Sequence, residues 1–219
     1  KGGRKLVLQR WTGNGWQDFV TTLVVPTNDY PYLDFQLDTQ NRPVVVVSAG
    51  SKAQGNPNLE DGAVYRFESG SWKRLGEPFD LGDLAVAPNG NIYALFSNGI
   101  RDGVNDKSFI KRWTGSSWQT EYTFQKITIK DYAGNPLSAP IAHGATSLRF
   151  TKTNKPVVTW ELTSEEWSFA ATPLTQVELW NGSSWTKTSE FWGELILDRN
   201  DNLLTASVDA QFSSSPRCG

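Results

Sequence analysis

Trp11-Thr-Gly-Asn-Gly-Trp16, Phe67-Glu-Ser-Gly-Ser-Trp72, Trp113-Thr-Gly-Ser-Ser-Trp118 and Trp180-Asn-Gly-Ser-Ser-Trp185 are four copies of one aromatic hexapeptide. Self-similarity at intervals of tens of residues marks an array in which each unit is one supersecondary element. Gly, Ser and Asn between two rings favour a tight turn, so the rings face each other across a hairpin, on one side of a sheet. A facing pair contributes about 0.5 to 1.5 kcal/mol beyond its buried area, enough to set the register of a short hairpin. Because the position repeats, these seven Trp and Phe67 are expected to be core.

Around each hexapeptide the same signals recur: a short apolar segment, a polar turn, a β-branched run, a loop, then the hexapeptide hairpin. In the second unit the strands read Leu33 to Asp38, Pro43 to Ser48, Ala63 to Phe67 and Ser71 to Leu75. The third runs Leu84 to Ala87, Asn91 to Phe96, Phe109 to Trp113 and Ser117 to Thr120, with Pro88-Asn89-Gly90 as its first turn. The fourth runs Ser147 to Thr151, Pro156 to Glu161, Gln176 to Trp180 and Ser184 to Thr188. Each is a four-stranded meander.

The ends supply complementary halves. Leu6 to Arg10 and Trp16 to Val20 match the last two strands of a unit, and Glu194 to Asp198 and Asn202 to Val208 match the first two. Pairing them within one sheet removes the open edges of a circular array. The expected fold is therefore an all-β propeller of four blades, each of four antiparallel strands. One blade comes from residues 1–20 plus 193–210, and the others from 32–75, 83–120 and 146–188, all in one domain.

Composition agrees with that fold. The 219 residues include ten Trp, 19 Gly, 11 Pro and no Met, which suits short strands and tight turns rather than long helices. With a net charge of -2 and no basic run longer than a pair such as Lys111-Arg112, a nucleic-acid partner is not expected. No stretch has the roughly 20 apolar residues of a membrane-spanning helix. The single Cys218 has no intrachain disulfide partner, so stability rests on packing. A start at Lys1 without Met points to a mature or excised product, with export as the expectation.

The run Ser147-Leu-Arg-Phe-Thr-Lys-Thr-Asn-Lys-Pro156-Val-Val-Thr-Trp160, followed by Val177-Glu-Leu-Trp-Asn-Gly-Ser-Ser-Trp185, resembles the repeats of bacterial secreted and envelope-associated propellers. Those repeats pair a Ser-Leu-Ala-Leu-Asp and Pro-Val-Val-Ala-Trp segment with an Arg-Trp and Gly-Ser-Ser-Trp hairpin. The likeness covers nearly the whole chain and implies an exported or envelope scaffold; it transfers no active-site residue. Asn91-Ile-Tyr-Ala and Asn202-Leu-Leu-Thr depart from the Pro-Val-Val pattern.

Aligning the first strands on their apolar pairs puts Asp34, Asp83, Ser147 and Glu194 in one column. In a propeller these positions converge on the central channel. Carboxylates gathered there repel, and an oxygen-liganded cation such as Ca²⁺, Mg²⁺ or Na⁺ would relieve them. A second candidate, Asp198-Arg-Asn200-Asp-Asn202 with Asp209, has the oxygen spacing of a calcium loop but Leu203 where the sharp turn needs Gly; an Asx turn explains it better.

The only imidazole, His143, reads as a loop residue without a nucleophile beside it. A glycoside hydrolase requires two carboxylates, for which Asp34, Asp83, Glu161, Glu165, Glu166 and Glu194 are the candidates. Rings outside the repeated positions, namely Tyr30, Tyr32, Tyr122, Tyr132, Trp167, Phe169 and Trp192, read as loop residues that form a binding surface. Trp167 and Phe169 sit in an acidic insertion after Glu161, and a second insertion between Glu121 and Ala145 reads as an added strand and turn. The leading expectation is a non-enzymatic extracytoplasmic binding scaffold with a protein or cell-surface glycan as partner. A lectin-like propeller and a glycoside hydrolase are the alternatives.

Overall fold

A computed structural model describes residues 4–25, 32–48, 63–76, 83–97, 108–124, 140–164, 174–192, 194–198 and 200–206. All regular structure among them is antiparallel β, and no helix is long and apolar enough to cross a membrane. The chain opens with a hairpin in two short pieces. Strands β1 (Arg4–Leu6) and β4 (Leu23–Val25) pair at its base, and β2 (Gln9–Trp11) and β3 (Trp16–Asp18) at its tip. Three four-stranded meanders follow in the expected order. They are β5 (Tyr32–Leu37), β6 (Pro43–Ser48), β7 (Ala63–Glu68) and β8 (Ser71–Arg74); β9 (Asp83–Val86), β10 (Ile92–Ser97), β11 (Ser108–Trp113) and β12 (Trp118–Thr123); and β13 (Pro140–Phe150), β14 (Pro156–Ser164), β15 (Leu174–Trp180) and β16 (Trp185–Trp192). A final hairpin pairs β17 (Glu194–Leu197) with β18 (Leu203–Ala206).

Several residues read as loop prove to be strand. The third meander is longer than its motifs, so His143 lies within β13 and Trp192 closes β16. Tyr32 begins β5, and Tyr122 lies in β12 with its ring against Trp180 and Trp185. Irregular, polar sequence around these residues hid the strands, because neighbouring pairings rather than local pattern extend them.

The continuous apolar runs have a simple cause. Successive side chains of a strand point to opposite faces, so a run buried throughout needs cover on both sides. In β6, Val44 and Val46 pack with Leu84 and Ile92 of the next meander, while Val45 and Val47 pack with Leu23 and Val25 of the N-terminal hairpin. In β10, Ile92 faces back toward Val44 and Val46, whereas Tyr93 and Leu95 face forward toward Leu148, Val158 and Trp160. The core is thus a series of layers between stacked sheets.

The hexapeptide hairpins of the second, third and fourth units tie their sheets to the one before. The four ring pairs stand edge-on or tilted, with centroids 5.4 to 5.8 Å apart. In three units, Trp faces Trp across a four-residue loop. In the second, Ser69 and Gly70 both take positive φ, and Glu68 pairs with Ser71, so the turn shortens to two residues. The second ring reaches backward: the Trp72 indole Nε1 donates to the Thr21 carbonyl at 2.7 Å, and Trp118 Nε1 to the Leu75 carbonyl at 2.6 Å. Trp185 packs on Phe124, 4.4 Å between centroids, at the same place in its unit. Gly76 completes the second clasp, since its φ of 77° favours glycine and a Cβ there would lie 2.8 Å from Trp118 Cδ1.

The ring pairs are not equally core. Phe67 and all seven Trp were expected to be core, yet Trp11 and Trp16 are 57% and 66% exposed, while the other six rings are half-buried. The terminal hairpins also remain separate two-stranded sheets rather than one blade. Phe35 of β5 is 56% exposed, although Leu84 and Leu148, its counterparts in β9 and β13, are fully buried. The sheets therefore do not close on one another among the described residues. Each terminal half offers only strands of three or four residues, too short to register strongly on their own.

Trp118→Phe removes the donor while keeping most of the ring, and should cost about 1 to 2 kcal/mol. Gly76→Ala should cost about 1 to 3 kcal/mol through backbone strain and the clash. Thermal melts should therefore fall by roughly 2 to 8 °C for Trp118→Phe. An unchanged melting temperature in both variants would refute the clasp.

Candidate functional site

The first strand of each unit ends in the same turn. Its opening residue, Asp38, Ala87, Thr151 or Asp198, both donates to and accepts from the turn backbone, and the fourth residue takes positive φ. That fourth residue is Asn41, Gly90, Asn154 or Asp201, the types that tolerate a left-handed backbone best. The turn at Asp198 is thus the Asx turn the sequence favoured over a calcium loop. Its carboxylate accepts from the amides of Asn200 and Asn202 at 2.7 and 2.9 Å and from Asn202 Nδ2 at 3.0 Å. The Asn202 side chain first, then the backbone amides of Asn202 and Asn200, hold the Asp198 carboxyl below the usual carboxylate range.

These turns place the acidic column in register. Asp34 pairs with Val46, Asp83 with Leu95, Ser147 with Thr159 and Glu194 with Ala206, the same step along each hairpin. Asp34 and Asp83 lie close enough for the charge of one to act on the other. Asp83, 2% exposed, spends its oxygens elsewhere: Oδ1 accepts from its neighbour Leu84 N at 2.9 Å, and Oδ2 from Leu148 N at 2.7 Å and Arg149 Nη1 at 2.9 Å. Ser147 lies beside this contact on β13 and is half-buried, and the Glu194 side chain lies outside the described residues. Among the described residues, no group of three or more His, Cys, Asp or Glu could hold a metal ion. The Arg149 guanidinium pairs with the Asp83 carboxylate at this point.

Burial first, then the hydrogen bond and charge of Asp83, push the Asp34 carboxyl up to about 6, against the opposing pull of the Phe35 amide and Arg149. Asp34 is therefore protonated in the folded chain at pH values where the unfolded chain has lost that proton. The folded state is the more protonated one between about pH 4 and 6, so its stability falls as pH rises through that window. Asp34→Asn keeps a donor toward Asp83 without the charge. It should flatten the pH dependence of the melting temperature from pH 4 to 6 and raise the melt at pH 8 by about 2 °C. An unchanged pH profile would count against a raised Asp34 carboxyl.

Two residues that the sequence reading missed complete the inner seam. Gln36 Nε2 donates to the Leu84 carbonyl at 2.7 Å, and its Oε1 accepts from Val86 N at 2.8 Å, so one side chain serves as a rung between β5 and β9. Arg149 does the equivalent between β13 and β9. Both lie two residues after the acidic column, on the same strand face, so period-two alternation would have found them. Farther out, Asn89 N donates to Asn154 Oδ1 at 2.9 Å, and Lys152 N to both oxygens of Asp201 at 2.9 and 3.1 Å.

These contacts frame a cavity of about 290 Å³. Gln36 of β5, Val86 of β9, Arg149 and Phe150 of β13, and Leu197 of β17 line it, so the first strand of each of these four units contributes. Lys152, Asp198 and Asp201 line it from the turns. Tyr30, Tyr132, Trp167 and Phe169 lie outside the described residues, as do the side chains of Tyr32 and Trp192. Of the acids a hydrolase would use, Glu165 and Glu166 lie outside them as well, and Glu161 lies in β14 with its side chain outside them.

No protein-family model matches the chain, and no curated protein matches it. Among solved structures, it is similar to a fucose lectin from Kordia zhangzhouensis, determined in complex with methyl-fucoside. That likeness covers 72% of this chain and 98% of the lectin chain at 13% identity, with a TM-score of 0.40. It is too distant to transfer a ligand.

Proposed function

We propose that this chain is a non-enzymatic binding scaffold acting outside the cytoplasm or at the cell envelope, with a protein or a cell-surface glycan as its partner. Its working form is a closed four-bladed propeller, with the two terminal hairpins zipped into the fourth blade. The observation that carries this reading is the convergence of β5, β9, β13 and β17 on one axial cavity through four equivalent turns. Four inner strands around one axis leave room for one outer hairpin, and the N-terminal hairpin has the missing half of the repeat. The location outside the cytoplasm rests on the resemblance of the repeats to secreted propellers.

The inner acids support binding over hydrolysis. Glycoside hydrolysis uses carboxyls about 5 to 9.5 Å apart, with space between them for sugar or water. Asp34 and Asp83 lie close enough for one charge to act on the other, and Asp83 is buried against backbone and guanidinium. They act as a fastener between blades.

Closure has a defined register. Matching the β6–β7 pairing, Val45 with Tyr65, onto the ends sets Thr205 of β18 opposite Gln9 of β2. In a Cys218→Ser background, the pair Gln9→Cys and Thr205→Cys should form an intramolecular disulfide on mild oxidation and raise the melting temperature. Disulfide-linked dimers, or no disulfide, would refute closure within one chain. Glycan-array binding, with no release of nitrophenol from a panel of nitrophenyl glycosides, is the functional expectation; turnover would refute the non-enzymatic reading.

A further inference from the structure

We propose that the axial cavity is a binding site for one neutral sugar ring, held by Arg149, Lys152, Asp198 and Asp201 beside Phe150 and Leu197. The proposal rests on the binding-scaffold reading and names the ligand chemistry of its central site. Size is the first argument. A cavity of about 290 Å³ falls at the low end of ligand pockets, which run from roughly 300 to 1,000 Å³, so it suits a single ring rather than an extended chain.

Charge is the second. Arg149 and Lys152 bring two positive groups to the cavity, and Asp198 and Asp201 two negative ones. A simple anion meets the two carboxylates, and a simple cation meets guanidinium and ammonium. A neutral ligand with adjacent hydroxyls avoids both conflicts, because each hydroxyl donates to a carboxylate and accepts from a cationic N–H.

The third argument is the unused bonding capacity and how firmly it is held. Arg149 Nη1 is engaged by Asp83 and by the Leu148 carbonyl. Among the described residues, its other guanidinium nitrogens and the Lys152 ammonium make no hydrogen bond. Asp198 is fixed by three donors of its own turn, and Asp201 is fixed by Lys152 N, yet carboxylate oxygens have lone pairs to spare. Orientation is therefore set before a ligand arrives, which lowers the entropic cost of binding. Phe150 stacks on Tyr93 at 4.4 Å between centroids, and with Leu197 it supplies apolar surface for the C–H side of a sugar ring.

The test uses the full chain and a panel of methyl pyranosides of glucose, galactose and mannose, with glucuronate and glycine as charged comparisons, read by saturation-transfer NMR and titration. At least one neutral pyranoside should bind better than either charged compound. Lys152→Ala and Asp201→Asn, the latter keeping a residue that tolerates positive φ, should each weaken that binding at least tenfold while the melting temperature stays within a few degrees. No binding of any neutral pyranoside, or preference for glucuronate or glycine, would overturn the proposal. Glycan-array binding that survives both substitutions would overturn the pocket assignment and leave the scaffold reading standing. Turnover of a glycoside would overturn the non-enzymatic reading itself.

Discussion

Burial of both faces of every complete sheet is the constraint on which this structure depends. A single four-stranded meander has too little area on one face to stand alone, and its central strands are apolar on both. Stacking sheet on sheet is the way to cover Val44 to Val47 or Ile92 to Leu95 from both sides. The hexapeptide makes that stacking directional. Its second Trp packs within its own hairpin and, in the second and third units, also bonds the carbonyl that trails the previous sheet, so each unit is oriented by the one before it.

The inner strands solve a different problem. Near the axis, polar side chains from different units meet, and each must find a partner when water is excluded. Gln36 does so by imitating a strand, and Asp83 by accepting from the backbone and side chain of β13. Asp34 is half-buried with a like charge beside it, and burial first, then that charge, is why its proton is retained. Burial and charge at this point link stability to pH.

Phe35, Trp11 and Trp16 are exposed, whereas their described counterparts in the other units are buried or half-buried. Repeat arrays owe most of their stability to interfaces between neighbours, so a unit without a neighbour carries this kind of uncovered surface.

The sequence by itself determined the strands of the three meanders, the hexapeptide hairpins and the alignment of Asp34, Asp83, Ser147 and Glu194. These depend on period-two alternation, on turn residues such as Asn41 and Gly90, and on repetition, all of which are local in the chain. Tertiary structure decided what those residues touch. Arg149 of the next meander meets Asp83; Tyr122 lies against the next hairpin rather than on a surface loop; and Trp16 stays exposed although Trp118 does not. Each depends on which sheet lies opposite, and residues about 50 to 65 positions apart in the chain meet there, a separation that local pattern does not encode.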